Sequence, residues 1–216
     1  MLYGFAKNIW RNERAMRFNG AMIYEELAKS YLARSEKQSQ ITEVLLDKAA
    51  GYEESGQAAA STICAAALHV NMLSHDVLAL MLLHSLTDDK WTNRTAARMA
   101  ATVMYEGADD LQIIFGKPFR DACQEVGILA EFEPDLGRIK QELASFQKNH
   151  EPVIKVMRMA SGAHRDHDIA TFLGSFLDES KTTAVVEAFV EFENCLRSWG
   201  AFNTSVLNRL RDLLGS

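Results

Sequence analysis

Proline is scarce in this chain of 216 residues. The three prolines are Pro118, Pro134 and Pro152, so the first 117 residues contain no strong helix breaker. Alanine and leucine, which favour helices, are abundant instead. We therefore expect an all-α protein, a multi-helix bundle in one domain over residues 1–216. The hydrophobic share of 48% is enough for a substantial core.

Cysteine is scarce as well, and its positions exclude two kinds of site. Cys64, Cys123 and Cys195 are odd in number and widely spaced, and they lie among apolar residues. A disulfide framework or a zinc site needs more cysteines at closer spacing. The sequence therefore predicts buried, reduced thiols and a cytoplasmic location.

Segments that would enter or cross a membrane are also missing. Charged residues such as Lys7 and Arg11 interrupt the N-terminal apolar residues, so no secretory signal is expected. A long uncharged stretch, residues 57–75, includes Gln57, His69 and Asn71. This composition favours a buried helix over a membrane span. We expect no membrane partner.

Positive charge is in deficit, since the formal net charge is −6. Such a chain does not coat nucleic acid by bulk electrostatics. An RNA partner would have to be held by a local group of basic side chains.

The spacing of apolar residues predicts a series of helices. They cover residues 5–34, 41–51, 57–86, 92–115, 134–148, a helix from 152 onward and a closing helix over 185–213. Thr92 or Asn93 is expected to cap the fourth helix, and Gly116 to Pro118 to end it. Pro134 and Pro152 are each expected in the first turn of a helix, with a sharp junction at 149–151.

Two of these helices carry further expectations. The helix over 57–86 is apolar nearly all round, which is typical of the centre of a bundle. The closing helix presents an apolar seam from Val185 to Leu213 at four-three spacing. This seam is expected to be either an intramolecular contact or a dimer contact.

The six histidines are the first candidates for chemistry, because the chain has no phosphate-binding glycine loop and no Cys-x-x-Cys pair. His69, His75 and His84 lie in the long apolar helix, where core or interface histidines are expected. A di-iron bundle needs Glu three residues before a histidine, and no histidine here has one. That class is excluded.

Two metal-site alternatives remain. Adjacent His-Asp pairs at His75-Asp76 and at 167–168 would suit an HD-type phosphohydrolase, but the first pair has no histidine upstream of His69 to complete its ligands. His164, His167 and Asp168 would share one face of a helix, as metal ligands do. The alternative is a helix start, because Asp166 and Asp168 are favoured near a helix N-terminus. We expect no metal and no cofactor.

Arg158 and His164 form the pair with the clearest chemical use. A guanidinium holds a scissile phosphate and the charge that develops on it. A histidine moves the proton of a ribose 2′-hydroxyl or protonates the leaving oxygen. Lys155 and Arg165 stand beside the pair and would bind RNA phosphate.

This stretch resembles the HEPN superfamily, small all-helical domains that include metal-independent RNases of toxin and abortive-infection systems. The likeness is strongest to the abortive-infection U-type branch. It rests on Arg158-x5-His164 with Gly-Ala-His-Arg-Asp at 162–166. A looser match covers the helix with Arg94, Tyr105 and Glu106 that runs into Phe-Gly-Lys-Pro-Phe at 115–119. The resemblance spans residues 91–199 and does not include the first 90.

The resemblance implies an HEPN-like bundle over residues 91–216, with residues 1–90 packed on it as extra N-terminal helices. It implies a homodimer in which two Arg-His pairs line one cleft. Arg158 and His164 would be catalytic, and Glu106 would support Arg158. Active members usually carry a polar residue where this chain has Met159, so a degenerate site that only binds RNA or a nucleotide is a second outcome.

The biological setting implied by the resemblance is a defence or toxin–antitoxin type system in the cytoplasm, with RNA or a nucleotide as partner. The sequence identifies no protein antitoxin. The alternative function is a non-catalytic helical module for dimerisation or protein interaction. In that case the Arg-His pair is structural and the seam of the closing helix binds the partner.

Overall fold

The computed structural model describes residues 16–87, 89–159, 174 and 178–215, with side chains over 29–87, 89–158, 174 and 178–215. These residues form helices and no strand, which confirms the all-α prediction. The helices are α1 (Met16–Glu54), α2 (Ala58–Leu86), α3 (Lys90–Ile114), α4 (Lys117–Glu125), α5 (Leu129–Met159) and α6 (Glu179–Leu214).

One hydrophobic core is shared by α2, α3, α5 and α6, and α4 closes one end of it. An aromatic cluster at that end joins α3, α4 and α6. The ring centroid of Phe115 lies 4.7 Å from that of Phe119 and 4.3 Å from that of Trp199. All three side chains are fully buried. Their large apolar areas tie the C-terminal end of α3 to its neighbours.

The central position predicted for the long apolar helix is confirmed. α2 packs against α1, α3, α4 and α6, and its buried residues run from Ala59 to His84. Among the described helices it is the one long and apolar enough, by length and composition, to cross a membrane. A core helix passes the same test because it too is apolar on most faces. The three cysteines are buried free thiols, as expected.

The N-terminal part of the chain differs from the prediction. The break expected between residues 34 and 41 is wrong, because α1 is continuous from Met16 to Glu54. Residues 35–40 have no apolar face, yet Gln38 is buried. Its amide donates to Ser74 Oγ at 3.1 Å, and Asn71 Nδ2 donates to the Gln38 carbonyl at 2.9 Å. Polar partners on α2 replace the apolar contacts on which the prediction relied.

The two later prolines were also placed wrongly. Pro134 and Pro152 lie inside α5, and no junction occurs at 149–151. Both prolines are exposed. Buried residues anchor the helix on either side of each proline: Phe132, Leu136, Ile139, Leu143, Phe146 and Ile154. This burial outweighs the hydrogen bonds that the prolines cannot donate.

The end of α3 agrees with the prediction, but its start and its continuation do not. α3 ends at Ile114, just before Gly116. Its N-cap is Asp89, whose carboxylate accepts from the Thr92 N–H at 2.7 Å, so Thr92 and Asn93 are not the cap. Pro118 lies in the first turn of α4, a short helix that the sequence analysis did not predict.

The apolar seam of α6 is intramolecular. Its core positions are 2% exposed or less: Val185, Phe192, Leu196, Trp199, Val206 and Leu210. These side chains pack into the shared core with α2, α3 and α5. Leu213, at the end of the seam, is 45% exposed, so the core covers the seam except at its last turn.

Candidate functional site

The structure describes three of the five predicted site residues. Glu106 lies on α3, and Lys155 and Arg158 lie on α5. His164 and Arg165 fall outside the described residues, and so do His167 and Asp168 of the alternative metal site.

α3 and α5 run antiparallel, and this brings Arg158 and Glu106 together. Near the middle of α5, Gln147 contacts Asp109 and Gln112 of α3. Further along α5, the Arg158 NH2 group lies 3.2 Å from Glu106 Oε1. The direction of the two helices therefore places the last turn of α5 beside residues 105–106 of α3.

The local sequence explains where these side chains point. On α3, Met104 and Ala108 are fully buried, Tyr105 packs at the margin of the core and Glu106 follows on the surface. On α5, Met157 is fully buried, so the next residue, Arg158, also lies at the edge of the core. The two helices present a tyrosine, a carboxylate and a guanidinium along one line of contact.

Tyr105 is the member of this group whose role the sequence analysis missed. The guanidinium carbon of Arg158 lies 4.6 Å from the centroid of the Tyr105 ring, within the range of a cation–π contact. The Arg158 side chain keeps 33% of its surface exposed. It is supported from one side by the ring and remains open to solvent in part.

The charges around Arg158 are mixed. Glu106 is 56% exposed, so its attraction to the guanidinium is strongly screened. Lys155 is exposed and lies three residues before Arg158, on the same side of α5. Glu151, also exposed, lies one turn before Lys155. The described part of the predicted basic patch is therefore two cations with carboxylates close by.

The α2 histidines are interface and core residues, as expected. His75 Nε2 lies 2.9 Å from Ser35 Oγ on α1. His69 Nε2 lies 3.8 Å from a carboxylate oxygen of Asp110 on α3. His84 is 4% exposed, and burial lowers its pKa from the ordinary value. These positions tie the rings to helix packing.

The other chemistries considered find no support in the described part of the chain. There, no three His, Cys, Asp or Glu side chains come together as metal ligands do. Burial raises the pKa of Cys123 to about 12 and the pKa of Cys64 and Cys195 to about 11. Such thiols stay protonated at neutral pH and out of contact with solvent, which does not suit a nucleophile.

Comparison with protein-family models, with curated proteins and with solved structures gives no match to this chain. The functional assignment therefore depends on the residues of the site. The resemblance to HEPN proteins rests on the motif at 158–166 and on the looser match in α3 and α4.

Proposed function

We propose that the chain is an HEPN-like RNA-binding protein in which Arg158 and His164 carry out metal-independent cleavage of RNA. The observation that supports this proposal is the setting of Arg158. Its guanidinium contacts a carboxylate at 3.2 Å and an aromatic ring at 4.6 Å, while the side chain as a whole stays one-third exposed. The segment that carries His164 follows directly along the chain.

The proposed reaction is an internal transesterification of RNA. The ribose 2′-oxygen attacks the adjacent phosphorus, the P–O5′ bond breaks, and a 2′,3′-cyclic phosphate and a 5′-hydroxyl are formed. Arg158 binds the nonbridging phosphate oxygens and stabilises the charge that develops on them. His164 takes the 2′-hydroxyl proton or delivers a proton to O5′. The step needs no external reactant.

In the proposed assembly the protein is a cytoplasmic homodimer of a defence or toxin–antitoxin type system. A two-fold axis would bring two copies of Arg158 and His164 to one cleft, so one histidine serves as base and the other as acid. Active members of the family usually carry a polar residue where this chain has Met159, so a site that only binds RNA or a nucleotide is the second form of the proposal. If cleavage has been lost, the same guanidinium still binds an RNA or nucleotide phosphate.

The alternative function, a protein-interaction module, relied on the seam of α6. That seam is buried in the core of the chain except at its last turn. The partly exposed Arg158 side chain is therefore the better supported basis for a function.

The test is an RNA cleavage assay in EDTA with the full chain and defined oligoribonucleotides. Arg158→Ala and His164→Ala should each lower the rate by about 100-fold or more, the usual effect of removing one group that stabilises or protonates the transition state. Arg209→Ala is the matched control, because Arg209 is a half-exposed arginine paired with Glu131 at 3.0 Å. It should cleave like the wild type.

The possible results separate cleavage from binding. In one outcome the wild type leaves RNA intact but binds it tightly, and Arg158→Ala binds it weakly. This result would show that the site binds RNA without cleaving it. If Arg158→Ala cleaves and binds RNA as the wild type does, the proposed function is wrong.

A further inference from the structure

We propose that Tyr105 is the positioning residue of the phosphate-binding guanidinium, and that Glu106 is a counter-ion which the RNA phosphate must displace. This inference rests on the proposed function of Arg158. It assigns opposite effects to two neighbouring residues on α3, and these effects are separable by experiment.

Tyr105 can hold Arg158 without using any of its hydrogen-bond donors. The five N–H groups of a guanidinium lie in its plane, whereas a cation–π contact uses its face. The Tyr105 ring packs against the core and so has a fixed place beneath Arg158. A phosphate can bind the edge of the guanidinium while the stack on the ring stays intact.

Glu106 competes for that edge. Its Oε1 atom lies 3.2 Å from the Arg158 NH2 group, and carboxylate and phosphate oxygens bind a guanidinium in the same way. A bound phosphate would also be repelled by the carboxylate. Because the Glu106 side chain is more than half exposed, it can turn into water when RNA arrives. Glu106 therefore neutralises Arg158 at rest and weakens RNA binding.

The experiment measures the affinity of the full chain for a fluorescein-labelled single-stranded oligoribonucleotide by fluorescence anisotropy in EDTA. His164→Ala is the background, so that the RNA is not cut during the titration. Tyr105→Leu should weaken binding by about 3-fold, the effect of losing a partly exposed cation–π contact. Tyr105→Phe keeps the ring and should bind like the parent.

Glu106→Gln should strengthen binding by about 2- to 5-fold at low salt, because the amide does not repel phosphate. The gain should shrink as salt is added, since it is electrostatic. A residue that only supports the fold would not give a salt-dependent gain in affinity.

Two matched controls lie away from Arg158, one on α5 and one on α1. Glu131→Gln removes an exposed carboxylate from its pair with Arg209, about 40 Å along the helix from Arg158. Tyr52→Leu removes a partly buried tyrosine that packs on the core elsewhere. Both controls should bind RNA like the parent.

A double-variant comparison separates positioning from folding. If Tyr105 acts through Arg158, Tyr105→Leu has no further effect on affinity in the Arg158→Ala background. A loss caused by damage to the fold would persist there.

Three results would overturn this inference. They are a Tyr105→Leu variant that binds like the parent, a Tyr105→Phe variant as weak as Tyr105→Leu, and weaker binding by Glu106→Gln. If Arg158→Ala loses affinity in the same series, the proposed function stands even when the inference about Tyr105 and Glu106 fails. Unchanged binding by Arg158→Ala would reject the proposed function itself.

Discussion

At the scale of single residues, His84 shows how the core of α2 affects the pH response of the protein. Its imidazole is almost fully buried near the C-terminal end of α2. Burial removes water from the charged form, and the pKa of His84 is therefore lowered from its ordinary value of 6.5. The folded protein keeps this ring neutral at pH values where the unfolded chain protonates it.

We expect the free energy of unfolding to decrease as the pH falls below about 6.5. Below that value the unfolded chain binds a proton at His84 that the folded protein does not bind until its own, lower pKa is reached. The decrease attributable to His84 is at most about 1.4 kcal/mol per pH unit, the limit for one proton. Urea denaturation at several pH values between 7.5 and 5 measures it.

The contribution of His84 is isolated by substitution. His84→Leu should lose this part of the pH dependence. Met81→Leu, a buried substitution one turn earlier that removes no titrating group, should keep it. Identical pH profiles for His84→Leu and the wild type would show that another group is responsible.

The candidate site could be predicted from the sequence only in part. The chemical use of Arg158 follows from its residue type, and the place of Glu106 beside it followed from the resemblance. The stack on Tyr105 depends on the register of α3 against α5, across about 50 residues of chain. Spacing along one helix contains no information about such a register.

At the scale of helices, apolar periodicity was reliable where the buried face is apolar. α2 was predicted close to its observed bounds for this reason, and so was the end of α6, whose start at Glu179 lies six residues before the predicted one. The middle of α1 was missed because its contacts with α2 are polar, as at Gln38 and Ser74. A polar interface leaves no periodic apolar signal in the sequence.

Pro152 gives a prediction at this scale. It lies inside α5, where it has no N–H to donate to the Lys148 carbonyl. Pro152→Ala should therefore raise the free energy of unfolding by about 1–2 kcal/mol, because the regained helix stability exceeds the added entropy of the unfolded chain. Urea denaturation followed by circular dichroism at 222 nm, the usual helix band, measures the change.

The control for this substitution is Gln141→Ala, an exposed change in the same helix. It should alter stability by less than about 0.5 kcal/mol. A loss of stability in Pro152→Ala would contradict this prediction.

At the scale of the whole molecule, the two parts of α1 are attached in different ways. Residues 45–54 pack apolar side chains on the core, namely Leu45, Ala49 and Tyr52. Residues 34–42 are attached by polar contacts instead. Arg34 NH1 lies 2.5 Å from Glu193 Oε1 on α6, and Arg34 NH2 donates to Ser74 Oγ at 2.8 Å.

This difference predicts that α1 opens from its N-terminal part at a lower free energy than the core. Polar groups released by opening bind water again, whereas exposed apolar core surface is costly. Hydrogen exchange followed by mass spectrometry should therefore show faster exchange in residues 30–42 than in residues 45–54 of the same helix. The slowest exchange should lie in α2 and α6.

Removing the contact between Arg34 and Glu193 tests whether the polar contacts hold residues 30–42 in place. Arg34→Met keeps the apolar stem but removes the pair with a carboxylate that is only 8% exposed. Since Arg34 itself is partly exposed, we expect a loss of about 1–2 kcal/mol. A loss of this size raises the equilibrium constant for opening by about 5- to 30-fold. Exchange in residues 30–42 should become faster by the same factor. Equal protection of residues 30–42 and the core, in wild type and variant alike, would show that α1 opens only when the whole molecule unfolds.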